Sequence, residues 1–134
     1  MGKPESQIRQ VKLEDLAFEN PFTNELRGDE ELSNTRRQVH NAYYSRVLPT
    51  PTAAPATLVV SEEVRLLLGI TSDVADSSEF TEIFSGNAIT ADMDPHAMCY
   101  GGHQFGNWAG QLGDGRAINL GQVTGIDSNS YMLQ

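Results

Sequence analysis

The chain has 134 residues, 39% of them apolar, and a formal net charge of −9, enough for one modest domain and not two. Its acidity and lack of basic clusters argue against nucleic-acid or anionic-membrane partners, and no apolar run approaches the ~18 residues of a membrane-crossing helix. The single cysteine, Cys99, excludes an intrachain disulfide framework.

Residues 1–30 lack sustained periodicity and are punctuated by Asn20-Pro21 and Gly28-Asp29. They are read as a flexible extension with at most a short helix over Leu13–Phe18. The opening Met1-Gly2-Lys3-Pro4-Glu5-Ser6 has no apolar core for a secretory signal and is neither Arg-rich nor acid-poor, as a mitochondrial presequence would be. It matches an N-myristoylation pattern formally, but Pro4 and Glu5 offer no basic support and one acyl chain anchors only marginally. Residues 31–134 are expected to hold the folded part. Within them Ser33 to Ser45 is read as a helix with Val39, Ala42 and Tyr43 on one face. Pro49, Pro51 and Pro55 forbid helix and predict an extended arm. Leu58-Val59-Val60 is read as a short strand.

Ser61-Glu62-Glu63 before Val64-Arg65-Leu66-Leu67-Leu68-Gly69 predicts a short helix, with Ser61 as cap, the glutamates at the positive end of the dipole and Gly69 as terminator. Asp76 to Phe84 predicts a second, from the capping-box spacing of Asp76 and Glu79 and the stop at Gly86. Asp94-Pro95 is read as opening a third, ended by Gly101-Gly102. From Ala117 to Val123 apolar residues recur with period two, which predicts a strand, and Tyr131-Met132-Leu133-Gln134 begins another apolar run.

Charge and glycine are spread unevenly. Residues 1–65 carry eight cations and ten anions, whereas residues 66–134 carry eight anions and one cation, Arg116. Eight of the twelve glycines lie between Gly101 and Gly125. Within this stretch Gly113-Asp114-Gly115-Arg116 is a turn signal whose amides could form an anion-binding concavity and whose guanidinium matches phosphate. It is neither a Walker A loop nor a G-x-G-x-x-G fingerprint. On residues alone, a structural hairpin and a nucleotide-contacting turn both remain open. His96, Cys99 and His103 fall at i, i+3 and i+7, a spacing that could present metal ligands on a helix. Gly101-Gly102 would break that helix, and a backbone-satisfied buried His103 and a packed Cys99 thiol are the plainer reading. Tyr100, Phe105 and Trp108 are expected to pack into the gaps that glycines leave rather than to stack on a ligand.

Tyr100-Gly101-Gly102-His103-Gln104-Phe105-Gly106, Trp108-Ala109-Gly110-Gln111-Leu112-Gly113-Asp114-Gly115-Arg116-Ala117 and Leu120-Gly121 together resemble the signature of the SelO family (selenoprotein O, YdiU in bacteria). Upstream, Arg37-Gln38-Val39-His40-Asn41-Ala42 and Val47-Leu48-Pro49-Thr50-Pro51 are similar to the family's N-terminal arm. Gln122, where an acid is usual, and Arg27, where proline is expected, depart from the pattern without touching the Gly113–Arg116 turn.

The resemblance implies an α+β chain: short helices, a proline-rich arm and a Gly-rich β-hairpin, forming part of a protein-kinase-like small lobe. It implies pseudokinases that bind ATP in a flipped orientation and transfer AMP to Ser, Thr or Tyr hydroxyls of protein substrates, with pyrophosphate leaving and Mg2+ neutralising charge. Gly113, Gly115 and Arg116 map onto the nucleotide-contacting turn. The family's phosphate-holding lysine is expected just after Gln134, and its partner glutamate, general base and metal-ligating Asn and Asp lie further on. The chain is therefore expected to be an N-terminal fragment with no catalytic residue or metal ligand of its own, inactive alone. The competing reading is a free-standing, non-catalytic interaction module derived from such a lobe. Family members are cytoplasmic in bacteria and mitochondrial in eukaryotes, which leaves the compartment open.

Overall fold

In the computed structural model, which describes residues 8–35, 37–111 and 117–134, short elements follow one another as β1 (Arg9–Gln10), α1 (Pro21–Glu25), β2 (Tyr44–Arg46), α2 (Glu62–Leu67), α3 (Ser72–Ala75), α4 (Ser78–Phe84), β3 (Ala88–Ile89), β4 (His96–Met98), β5 (Gly101–Gln104), β6 (Asn107–Gln111), β7 (Gly121–Thr124) and β8 (Ser130–Leu133). The strands form two-stranded sheets: β1 runs parallel to β3, while β2–β4, β5–β6 and β7–β8 are antiparallel. The architecture is α+β.

Helices α2 and α4 form where local signals agree. The Ser61 hydroxyl accepts the Val64 N–H at 3.3 Å, and Ser77 accepts that of Phe80 at 3.1 Å. Both helices end in the same way: Gly69 and Gly86 adopt φ of +72° and +79°. The amides that follow fold back, Gly69 to Leu66 and Ile70 to Arg65 in one, Gly86 to Ile83 and Asn87 to Glu82 in the other. The second helix starts at Ser78 rather than Asp76, because Asp76 closes the separate turn α3.

Residues 8–30 are not a loose extension. Leu13, Leu16 and Phe18 are buried in the main core with Leu68, Ile70, Ala75, Phe80, Ile83, Ala88, Ile89, Met93, Leu120 and Val123. Leu13–Phe18 holds no helix: Asp15 takes a φ of +69° and bends the chain. So short a segment closes too few helical hydrogen bonds to repay nucleation, and its apolar residues go into tertiary packing instead.

The helix read over Ser33–Ser45 is also absent from the described residues of that stretch. The Arg37 guanidinium takes the carbonyls of Glu31, Ser33 and Thr35 at 2.9–3.0 Å and pairs with Asp29. Carbonyls engaged by a side chain are not free for helical bonding. The segment then turns through Asn41 at φ +57° into β2. The helix read from Asp94-Pro95 is likewise replaced, by β4, whose His96, Ala97 and Met98 face Arg46, Ser45 and Tyr44. Leu58-Val59-Val60 forms no strand, and Leu58 and Val59 are 94% and 86% exposed.

The proline arm runs without regular structure, as expected, and is stitched to the end of α4. Asn87 accepts the Thr52 N–H at 2.7 Å and donates to the Thr52 carbonyl at 2.8 Å. The period-two signal after residue 117 becomes a bridge at Asn119 followed by β7, and the terminal apolar run becomes β8.

Candidate nucleotide-facing site

The sequence places the site in the glycine-dense segment, whose parts before and after the turn are structured. β5 and β6 form an exposed ribbon whose tip, Phe105-Gly106, has φ of +50° and +80°. Two successive positive φ values match the twist of the flanking strands. Register shifts between Gly101 and His103, and Gly110 sits opposite that irregularity with φ +73°. Gly101 lies against Trp108: a Cβ there would sit 2.6 Å from the ring and 3.1 Å from the Gly110 carbonyl.

The aromatic residues behave differently from one another. Trp108 covers Gly101 and meets His103 edge-on, with ring centroids 5.2 Å apart. Phe105, at the tip, and Tyr100 are exposed rather than filling gaps. His103 is exposed as well, so the expected buried histidine is instead His96, 1% exposed. Its ring stacks on Phe22 and meets Tyr44 edge-on, each at 5.4 Å, and its Nδ1 lies 2.8 Å from the Asp94 carbonyl. That contact assigns the proton to Nδ1 and leaves Nε2 buried with no hydrogen-bond partner among the described residues. His96, Cys99 and His103 form no metal-binding group; among the described residues no cluster of three His, Cys, Asp or Glu does. Extended backbone advances ~3.3 Å per residue, so positions that a helix would stack on one face are strung out.

Gly113, Gly115 and Arg116 themselves lie outside the described residues. The structure does define what brackets them. At the entrance, Gln111 ends β6, and its Oε1 accepts the Val39 N–H at 2.7 Å. At the exit, Asn119 bridges His96, with backbone bonds of 2.8 and 2.9 Å and a side-chain bond of 3.4 Å from Asn119 Nδ2 to the His96 carbonyl. Beyond it, the Leu120 amide reaches Leu133 at 2.7 Å.

Two ion pairs join the neighbouring segments, Arg37 with Asp29 and Arg46 with Asp94. Arg37 holds the Asp29 carboxyl below its ordinary range. Arg46 grips Asp94 with two bonds of 3.0 and 3.1 Å; although burial opposes it, this fork keeps Asp94 low and pushes Arg46 up. Burial, and secondarily Asp29, pushes the half-buried Cys99 thiol up, which makes it a poor nucleophile. Residues 66–134 hold no cation besides Arg116, so the described groups of that part cannot neutralise a triphosphate. The roles of Gln111, Asn119 and His96 carry no sequence signature, because each depends on a partner between 23 and 72 residues away.

The family described as "Protein adenylyltransferase SelO" matches residues 29–134. A protein named "Protein nucleotidyltransferase YdiU" from Rhodopirellula baltica is 56% identical over 120 residues, 90% of this chain and 22% of the relative. Proteins of the same name from Aromatoleum aromaticum and Flavobacterium johnsoniae are 54% and 48% identical, over 83% and 91% of this chain and 21% and 23% of theirs. The similarity therefore lies with protein nucleotidyltransferases. The chain belongs to the SelO family, and it spans about a fifth of the length of the curated relatives it matches.

Proposed function

We propose that this chain forms the N-terminal, nucleotide-facing part of an ATP-dependent protein adenylyltransferase with a protein-kinase-like small lobe. The observation that carries the reading is the family match across residues 29–134, which includes the whole glycine-dense segment. In the reaction, a Ser, Thr or Tyr hydroxyl of a target protein attacks the α-phosphorus of ATP. The bond to the β-phosphate oxygen breaks and pyrophosphate leaves. Gly113 and Gly115 present amides to the nucleotide without side-chain clash, and Arg116 meets its spread negative charge with a planar fork.

Among the described residues no group of three His, Cys, Asp or Glu side chains comes together. The chain by itself is expected to be inactive, since residues 66–134 offer a triphosphate one cation, Arg116.

Labelled ATP and a generic protein acceptor test this directly. The assay compares the 134-residue chain with a chimera in which it replaces the matching fifth of the Rhodopirellula baltica relative. AMP transfer by the chimera and none by the chain alone is expected. Appreciable transfer by the chain alone refutes its inactivity, and a chimera that folds and binds acceptor but never transfers AMP favours a non-catalytic interaction module.

A further inference from the structure

Leu58-Val59-Val60 has the composition of a strand but pairs with no strand among the described residues. We propose that this segment is the edge at which the chain joins the rest of a longer protein, accepting an apolar strand from the part that these 134 residues do not span. The inference rests on the chain being one part of such a protein, as proposed above, and not on the nucleotide contact.

The segment is displayed and held. Pro55 to Val60 contains neither turn nor bend. Upstream, Thr52 is bonded twice to Asn87, at 2.7 and 2.8 Å. The hydroxyls of Thr57 and Thr81 lie 2.6 Å apart. Downstream, Val60 packs against the core and Ser61 caps α2. Between these anchors Leu58 and Val59 stand in solvent. Adjacent residues of an unbent, extended chain point to opposite faces, so both faces of the segment are open there. No backbone N–H or C=O of Leu58, Val59 or Val60 bonds another described residue. A cleft of about 520 Å³ is lined both by the segment and by Ser72, Ala75 and Thr81 of α3 and α4. Open apolar edges of this kind template pairing, and folded proteins normally shorten, charge or cover them. Strand addition supplies the missing hydrogen bonds and covers the side chains in one step.

Length and charge identify the occupant. The match to the Rhodopirellula baltica relative takes in 22% of that protein, so about four-fifths of it has to fold against surfaces outside itself or against this part. A second copy of the chain suits the edge poorly. Glu62 and Glu63 follow the segment directly, the Glu62 side chain is 80% exposed, and each copy carries a net charge of −9. Paired copies would bring like charges together. A strand with apolar residues against Leu58 and Val59, and a Lys or Arg beside Glu62 and Glu63, meets both requirements.

Hydrogen exchange of the Leu58, Val59 and Val60 amides reads the joint, in the 134-residue chain and in the Rhodopirellula chimera. In the chain alone they should exchange at nearly the free-peptide rate, and in the chimera on the order of a hundredfold more slowly. Leu58→Asp should leave the Tm of the chain alone within about 2 °C, since that side chain already lies in water. In the chimera it should restore fast exchange. Val59→Thr, close to valine in shape but carrying a hydroxyl, should restore it only in part. A Leu58→Asp chimera that fails to fold, while the chain alone keeps its Tm, supports the same joint. Amides that exchange fast in both proteins overturn the proposal. Amides already slowed in the chain alone overturn it too: with a doubled mass in sedimentation the occupant is a second copy, and without one it is the chain itself. Slowed exchange in a chimera that transfers no AMP leaves the joint standing and counts against the adenylyltransferase reading alone.

Discussion

Asp15 holds Thr71, the residue that precedes helix α3, from 56 positions earlier in the chain. Its Oδ2 accepts both the N–H and the hydroxyl of Thr71, at 2.9 and 2.8 Å, while Thr71 makes no side-chain cap of its own at the start of α3. The bond from the Thr71 amide, with that from its hydroxyl, holds the Asp15 carboxyl low. The contact ties the N-terminal segment to the helical part of the core. Asp15→Ala should lower Tm more than Asp15→Asn, because the amide oxygen still accepts. Thermal unfolding followed by circular dichroism distinguishes them, and equal values for all three proteins would show that the contact contributes nothing.

Tyr44 is 1% exposed, donates its hydroxyl to the Thr23 carbonyl at 2.7 Å, and lies so close to Gly28 that a Cβ there would sit 2.6 Å from its ring. Two substitutions separate these roles. Tyr44→Phe leaves the Thr23 carbonyl unpaired and should cost ~1–3 kcal/mol. Gly28→Ala overpacks the ring and should cost about as much, ~1–3 kcal/mol. Urea unfolding measures both. A neutral Gly28→Ala would show that the ring can shift freely, contrary to its packing against Phe22 and His96.

These examples show which parts of the fold could be read in advance. Ser61 and Gly69 delimit α2 because cap, dipole and terminator all act within a few residues of one another. Asp76 carried a similar local signal but was taken by α3, so the helix started at Ser78. Leu13, Leu16 and Phe18 looked like part of an extension because their spacing fits no single period; their partners are Leu68, Ile83 and Val123, far along the chain. Arg37 was invisible as an organiser, since nothing in its neighbours announces that one guanidinium will hold several carbonyls. At the candidate site the long Tyr100–Ala117 run was legible as a family signature. The bracketing of its turn by Val39 and His96 was not.

Acid should weaken the fold in a defined window. Asp29, Asp92 and Asp94 all have folded pKa values below the ordinary carboxylate value of 3.8. Arg37 accounts for the first. For Asp92, burial opposes the shift, but the Phe18 amide at 2.8 Å and the Thr90 hydroxyl outweigh it. Arg46 does the same for Asp94. A carboxyl with a depressed folded pKa contributes stability that is complete above its unfolded value and is lost as pH falls through the folded one. Stability should be flat from neutrality to about pH 5 and decline below about pH 4. Asp94→Asn should remove part of that slope while lowering the plateau. Stability that rises between pH 5 and pH 3 would contradict all three assignments.

Arg116 is the sharpest point at which the nucleotide reading can fail. It is the single cation among the last 69 residues, 66 to 134, so its loss cannot be covered by a neighbour in that half of the chain. In the Rhodopirellula chimera, Arg116→Ala should weaken ATP binding by ~1.5–3 kcal/mol, the range for a hydrogen bond to a charged group. Arg116→Lys should recover only part, because an ammonium keeps the charge but not the planar fork. The loss should also shrink as salt rises if the contact is to phosphate. Calorimetric titration with a non-hydrolysable ATP analogue at two ionic strengths reads all three effects. Unchanged affinity in Arg116→Ala would make the Gly113–Arg116 segment a plain hairpin connection.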